Sequence, residues 1–318
     1  MSKKLLSIVT PTFNEIQNIE PFINKIRAVI TPLEKYNFEI IVIDNCSNDG
    51  TKEKIRELAA LDNRIKAIFN IRNFGHIRSP YYGILQSNGD ATIYLASDFQ
   101  DPPEYIPEFI KEWERGWLLV MAVKPVSKCN KLMHLARKCY YVLIDCISDI
   151  EIIKNSTGFG LYDKKILQHL KKINDPYPFL RGLICELGYP IKTIEFTQPE
   201  RIKGITKNNF YTLFDIAMLG LISHSKVPIR IASLSGFIMG VMCIILSIFF
   251  LFMKLIYWNA FPLGSAPAII ISFFVLGTIL FFIGIIGEYI GSIHTYLQNR
   301  PVVIEDERLN FQPKEESN

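Results

Sequence analysis

The chain has 318 residues, a formal net charge of +4 and 49% hydrophobic residues, with a mean hydropathy of +0.19. That length holds one large soluble domain plus a small membrane part. Two uncharged apolar runs, Ile231–Met253 and Leu255–Gly287, account for the high hydropathy and exclude a simple cytosolic enzyme.

Met1–Lys4 leads into Leu5–Val9, a run too short for a signal-peptide core and followed by Pro11, so the N-terminal domain is expected in the cytoplasm. Leu5–Val9 reads as a buried strand, with an amphipathic helix from Asn14-Glu15 to about Ile30. Phe38–Ile43 is a second strand, stopped by the polar cluster Asp44–Thr51, which supplies a turn and an N-cap for a helix over Lys52–Leu61. Ile65–Phe69 and Ala91–Leu95 are further strands, separated by a helix over Ser79–Ser87. This alternation predicts an α/β fold with a mostly parallel sheet and helices on both faces. Ligands of such sheets sit beyond the carboxyl ends of the strands. The clusters Asn14-Glu15, Asp44–Asp49 and Ser97–Asp101 are therefore expected to converge on one crevice. After a helix over Pro107–Gly116 and a strand over Leu118–Val123 the pattern loosens. Asn130–Ile147 reads as a helix, and Phe210–Ser225 as an amphipathic helix that either packs on the domain core or, as its place before the first apolar run favours, lies at the membrane interface.

Each apolar run exceeds the about 20 residues needed to span ~30 Å of hydrocarbon. Lys226 and Arg230 precede the first run, Arg300 follows the second, and the loop Lys254–Ala266 carries one charge. The positive-inside rule then puts both ends in the cytoplasm. The last dozen residues, rich in Glu, are expected to lack structure. The expected organisation is a cytosolic domain over 1–208, a juxtamembrane helix over 209–228, a two-helix hairpin over 229–297 and a cytosolic tail over 298–318. Six cysteines form no CxxC pair and read as reduced thiols. The basic stretch Lys124–Arg230 carries no nucleic-acid-binding motif and ends at a membrane segment, which favours anionic lipid or phosphate as its partner over nucleic acid.

Ser97-Asp98-Phe99-Gln100-Asp101-Pro102-Pro103-Glu104 is the sharpest local signal. A strand-end carboxylate with an amide oxygen two residues on suits a hard divalent cation that takes its other ligands from substrate phosphates. A turn that merely caps the following helix has the same spelling.

With that segment, Val9-Thr10-Pro11-Thr12-Phe13-Asn14-Glu15, Ile43–Thr51 and Arg72-Asn73-Phe74-Gly75-His76 resemble family 2 glycosyltransferases of GT-A fold. More closely, the chain is similar to the polyprenyl-phosphate group that includes bactoprenol glucosyltransferases and dolichyl-phosphate mannose synthases. Arg181-Gly182-Leu183, Arg201 with Gly204, Thr206 and Lys207, and Gly284–Tyr289 up to Arg300-Pro301 follow the same pattern. The Gln-x-x-Arg-Trp motif of processive polysaccharide synthases is absent.

The resemblance implies a GT-A domain followed by an interfacial helix and two transmembrane helices. It implies that Pro11, Thr12, Asn14, Glu15, Asp44 and Asp98 hold a UDP-sugar, and that Asp98 and Gln100 bind Mg²⁺ or Mn²⁺. Lys124, Arg137, Arg201 and Lys207 would meet the lipid phosphate or the diphosphate. The implied reaction is inverting transfer of a glucose-like hexose from a UDP-sugar to undecaprenyl phosphate, with Asp98 catalytic, at the inner face of the plasma membrane. Self-association stays open. So do a saccharide or protein acceptor and a non-catalytic binding role in a glycan-assembly complex. Three departures stand out. Ala96 replaces the first acid of Asp-x-Asp, Asn45-Cys46 breaks the Asp-Asp-Gly-Ser turn, and Thr157-Gly158-Phe159-Gly160-Leu161 stands where Gly-Asp-Phe-Arg-Leu is usual.

Overall fold

A computed structural model describes residues 3–124, 153, 155–173, 175–199, 227–256, 265–298 and 300–311. The expected helices over Asn130–Ile147 and Phe210–Ser225, and the site residues Arg137, Arg201 and Lys207, lie outside the described residues.

The chain divides into two compact units. The first comprises Met1–Tyr141, Ile150–Leu213 and Asn299–Asn318, and the second Val142–Asp149 and Phe214–Gln298. In the first unit β1 (Leu5–Thr12), β2 (Asn37–Asp44), β3 (Ile65–Asn70) and β4 (Ala91–Tyr94) form a parallel block. β5 (Leu119–Val123), β6 (Ser156–Asp163), β7 (Ile191–Glu195) and β8 (Glu305–Leu309) complete an eight-stranded sheet of order β7-β5-β6-β4-β1-β2-β3-β8. β6 runs antiparallel to β4 and β5, and β8 antiparallel to β3, so the sheet is mixed around its parallel centre.

Alternate strand residues feed two cores. Leu6, Ile8, Ile40 and Val42 pack under α1 (Ile19–Ile30), α2 (Thr51–Leu61) and, toward β5 and β6, α4 (Ile106–Glu114). Val9, Ile41 and Ile43 face α3 (Gly75–Leu85), α5 (Lys164–Leu170) and α6 (Leu180–Glu186). Burial on both faces explains the largely apolar β1 and β2, in which the buried polar residues Ser7 and Glu39 hydrogen-bond each other, and each fully buried Ile, Leu or Phe contributes about 1.5–3 kcal/mol. Gly83 of α3 lets the helix lie on the sheet, since a Cβ there would stand 2.9 Å from Ile43 Cγ2.

Two helix starts differ from the sequence expectation. α1 begins at Ile19 instead of Asn14, because residues 14–18 form a turn in which Asn14 adopts φ 55°. α3 begins at Gly75, a turn earlier than Ser79, and carries Pro80 inside it.

β8 corrects the expectation of an unstructured tail. Its pairing with β3 is fixed by side chains: Arg56 Nη2 lies 2.8 Å from Glu307, and Tyr82 Oη donates to Glu305 at 2.8 Å. Asn310, at φ 60°, donates to the carbonyls of Ala59 and Ile65. The returning tail covers what would otherwise be an open sheet edge.

The second unit contains α7 (Val227–Ile256) and α8 (Ser265–Leu297). Among the described residues one segment, Val275–Leu297, is long and apolar enough to cross a membrane, with a mean hydropathy of 1.8. α8 runs past Gly287, where the apolar run ends, because Glu288–Leu297 contains neither proline nor a helix-stopping turn.

Candidate functional site

Three parallel strands deliver their carboxyl ends side by side, in the order β4-β1-β2. Each exit contains a residue in the left-handed region: Asn14 after β1, Cys46 after β2 and Phe99 after β4, at φ 55°, 66° and 61°. Sharp turns of this kind keep backbone N–H groups and short polar side chains at the sheet edge.

The β1 and β2 exits are sewn together. Asn14 N donates to Ser47 Oγ at 2.8 Å, Glu15 N to Thr51 Oγ1 at 3.0 Å, and Asn48 N to Asn14 Oδ1 at 2.9 Å. Asn45 N reaches back to Thr12 O at 3.0 Å. Asn45 also organises the loop after β3. Its amide donates to Asn73 Oδ1 and Gly75 O, while its oxygen accepts from Asn70 Nδ2 and Phe74 N. The sequence reading treated Asn45 as a departure and did not foresee this role. Asparagines recurring at strand exits, at Asn45, Asn70 and Asn73, were the available signal.

Asp44 closes β2 and is fully buried. Its Oδ2 accepts from Ser47 N at 2.9 Å, while Oδ1 is buried with no hydrogen-bond partner. Burial raises its carboxyl above the usual range, opposed by the bonds from Ser47 and by the nearby Lys52 charge. A buried acceptor left unpaired costs stability in the free protein, and a ligand N–H or O–H would relieve that cost. Thr12 Oγ1 is likewise buried and unpartnered.

The β4 exit is tied to β1 by Ser97 Oγ, which donates to Pro11 O at 3.0 Å. Asp98 is buried at 8% exposure, and its Oδ1 accepts from Gln100 N at 3.1 Å. Asp101 Oδ2 accepts from Ala96 N at 3.0 Å, closing the turn. Burial pushes the Asp101 carboxyl up to about 7; the negative charge of Asp98 adds to this, and Lys124 works against it. Phe99, a bulky residue at positive φ, is held by edge-on packing on Phe22 at 5.1 Å between centroids.

The structure thus brings Pro11, Thr12, Asn14, Glu15, Asp44, Asp98 and Gln100 to adjacent strand exits, with Lys124 next to the end of β5. Among the described residues no three His, Cys, Asp or Glu side chains group as a metal centre. The donor set Asp98 and Gln100 fits a hard cation only as a partial shell, of the kind Mg²⁺ or Mn²⁺ completes with water and substrate phosphate. Asp163, close to the altered Gly-Asp-Phe-Arg-Leu segment, has a structural role. It accepts from Trp113 Nε1 at 2.7 Å and caps α5 through Lys165 N at 2.8 Å. Gly160 has a physical reason, since a Cβ there would lie 2.2 Å from Val120 O, so this backbone cannot seat the usual arginine.

Residues 7–171 match the model of glycosyl transferase family 2. A prophage-derived bactoprenol glucosyl transferase of Shigella flexneri is 30% identical over 301 residues, covering 94% of this chain and 96% of that protein. A prophage bactoprenol glucosyl transferase homolog of Escherichia coli is 31% identical, covering 94% and 97%. An uncharacterized glycosyltransferase of Bacillus subtilis, YkcC, is 30% identical, covering 97% and 95%. Among solved structures, glucosyl-3-phosphoglycerate synthase from Mycobacterium tuberculosis is 17% identical at a TM-score of 0.43, covering 69% of this chain and 78% of that one. That last likeness is too loose to carry an argument about ligands.

Proposed function

The chain belongs to glycosyl transferase family 2, in its polyprenyl-phosphate glycosyltransferase branch, and from that membership we propose that it transfers a hexose, glucose-like, from a UDP-sugar to undecaprenyl phosphate with inversion. Bactoprenol glucosyl transferases matching nearly end to end support the lipid acceptor. The buried, unpartnered Asp44 oxygen at the junction of the β1 and β2 exits supports a nucleotide there.

In this reading Asp44, Thr12 and the polar groups of Pro11–Glu15 hold the uracil and ribose. The bonds made by Asn14, Asn45 and Ser47 fix these positions before substrate arrives, so binding energy is not spent on ordering them. Asp98 and Gln100 would hold Mg²⁺ or Mn²⁺, which supplies charge neutralisation on the diphosphate. The positive charge of Lys124 favours the ionised form of Asp101; with Arg137, Arg201 and Lys207 it would draw in the anionic partners.

The acceptor needs no general base. A phosphate monoester has a second pKa of about 6 and is largely dianionic at neutral pH. Its oxygen forms the new bond to the anomeric carbon as the bond from that carbon to the UDP oxygen breaks, and the electron pair leaves with UDP. Side chains position both anions and screen their repulsion.

We assign the membrane part to the second unit, with α7 and α8 as two spans and both chain ends on the cytoplasmic side, and the site to the inner face of the plasma membrane. The apolar segment Val275–Leu297 and the basic residues Lys226, Arg230 and Arg300 flanking the helices support this. Purified protein given a panel of nucleotide sugars and undecaprenyl phosphate is expected to yield one hexosyl-phosphoryl lipid from a UDP-hexose, identified by mass. Sugar appearing only on a saccharide or protein acceptor would overturn the reading.

A further inference from the structure

Among the described residues, five arginines of the first unit answer to a carboxylate. Arg27 and Arg64 pair with Asp62, Arg56 with Glu307, Arg115 with Glu112 and Arg308 with Glu305. Arg72, Arg78, Arg181 and Arg300 form no such pair among the described residues; Arg181 donates to Ser156 O, and the other three lie together. Arg72 and Arg78 both sit against the buried ring of Phe74, with guanidinium carbons 4.1 and 5.3 Å from its centroid. Arg78 Nη2 donates to Pro301 O at 2.6 Å, which brings the neighbouring Arg300 to the same place from 222 positions away in sequence (300 − 78). Arg78 Nε is buried and has no acceptor. Burial and the charges of Arg72 and Arg300 lower the proton affinity of Arg78. Three guanidinium groups held together without an anion repel one another, and one phosphate would satisfy them with paired, charge-assisted bonds.

We propose that Arg72, Arg78 and Arg300 form a site for the phosphate of an anionic phospholipid headgroup. The inference rests on reading Val275–Leu297 as a membrane span. Arg300 follows Leu297 by three residues, at most about 10 Å of chain at roughly 3.3 Å per residue. A span ending there leaves Arg300 at headgroup depth, where each basic residue gains from the negative leaflet. Pro301 and then β8 follow Arg300 in the chain and join it to the sheet of the first unit.

The test uses the full-length protein, wild type and the variants Arg300→Gln and Arg78→Gln, in native mass spectrometry with phosphatidylglycerol or phosphatidylcholine titrated in. The same proteins in membranes are washed with alkaline carbonate. All three are expected to stay in the membrane pellet. Phosphatidylglycerol binding is expected to weaken about fivefold for each arginine lost, with phosphatidylcholine binding unchanged and no displacement by inorganic phosphate. Arg300→Gln, an exposed position, is also expected to keep wild-type transfer kinetics in phosphatidylcholine nanodiscs. Retention in the pellet with unchanged phosphatidylglycerol binding overturns the proposal alone. A raised KM for polyprenyl phosphate in Arg300→Gln moves the arginines into the acceptor site and overturns it. Displacement by inorganic phosphate does so as well, by assigning a free-anion site. Release of the wild type by carbonate overturns the membrane reading and this proposal with it.

Discussion

The exits of β2 and β4 flank the same strand, yet they are built on different principles. The β2 exit is closed by a dense network of hydrogen bonds, most of them between uncharged groups, with the Asp44 and Asp49 carboxylates accepting from backbone N–H groups. Asn45 alone makes four through its side chain, and Ser47 and Asn14 bind it to β1. The β4 exit has few such bonds and instead gathers charge, with Asp98 and Asp101 in one buried turn and a phenylalanine at positive φ between them. A nucleoside is a neutral, shaped ligand that rewards a rigid frame. A diphosphate is a charged one that rewards a site left electrostatically incomplete. Under the proposed function, Asn45, standing where the family usually has a second acid, serves the frame through its four bonds, and the charged role at the other turn is assigned to Asp98.

Substitutions can break the contrast in a graded order. Asp98→Ala is expected to have the largest effect, lowering turnover by about 100- to 1,000-fold. Thermal unfolding of the same variant should stay near wild type, and a shared fall in both would make Asp98 a structural residue. Asn45→Ala is expected to act on the scaffold, costing about 2–4 kcal/mol of stability for four lost bonds, two of them to groups left buried. Denaturant unfolding checks this, and a cost under about 0.5 kcal/mol would remove Asn45 from its place as organiser. Asp44→Asn is expected to weaken UDP binding about tenfold, the loss of a charged acceptor. Calorimetry measures it, and stability should hold or rise because a desolvated charge is removed.

The smallest effect lies away from both turns. Bonds from Arg64 hold the Asp62 carboxyl down at about 2. Its contribution is therefore complete above the unfolded value of about 4 and disappears as pH falls through 2. Arg64→Gln is expected to cost under about 1 kcal/mol at neutral pH, because Arg64 is exposed. Unfolding curves of the two proteins should converge by about pH 2. A difference constant with pH would show that the pair does not set it.

How much of this was legible beforehand depended on what holds each element. β1 to β4 could be read because burial on both faces makes them apolar runs ended by polar turns. β8 could not be, since Glu305–Leu309 is held by ion pairs and by backbone bonds to β3, and its charge resembles that of a solvated tail. β6 was hidden by Gly158 and Gly160, which weaken a strand pattern yet are demanded by close backbone approach and a positive φ. At the site, the positions of Asp44 and Asp98 after strands were legible, while the roles proposed for them came from the family resemblance. The bonding of Asn45, the burial of Asp101 and the bond from Arg78 to Pro301 O depend on contacts between distant segments, which local pattern does not encode.

The central claim is that the sheet edge brings a nucleotide sugar and a lipid phosphate together for transfer. Release of UDP from UDP-hexose by the purified full-length protein, followed with and without polyprenyl phosphate, tests it most directly. Release that rises with added lipid phosphate and matches the hexosyl lipid formed is the expected result. UDP bound without turnover, or released at the same rate with no lipid present, would contradict it.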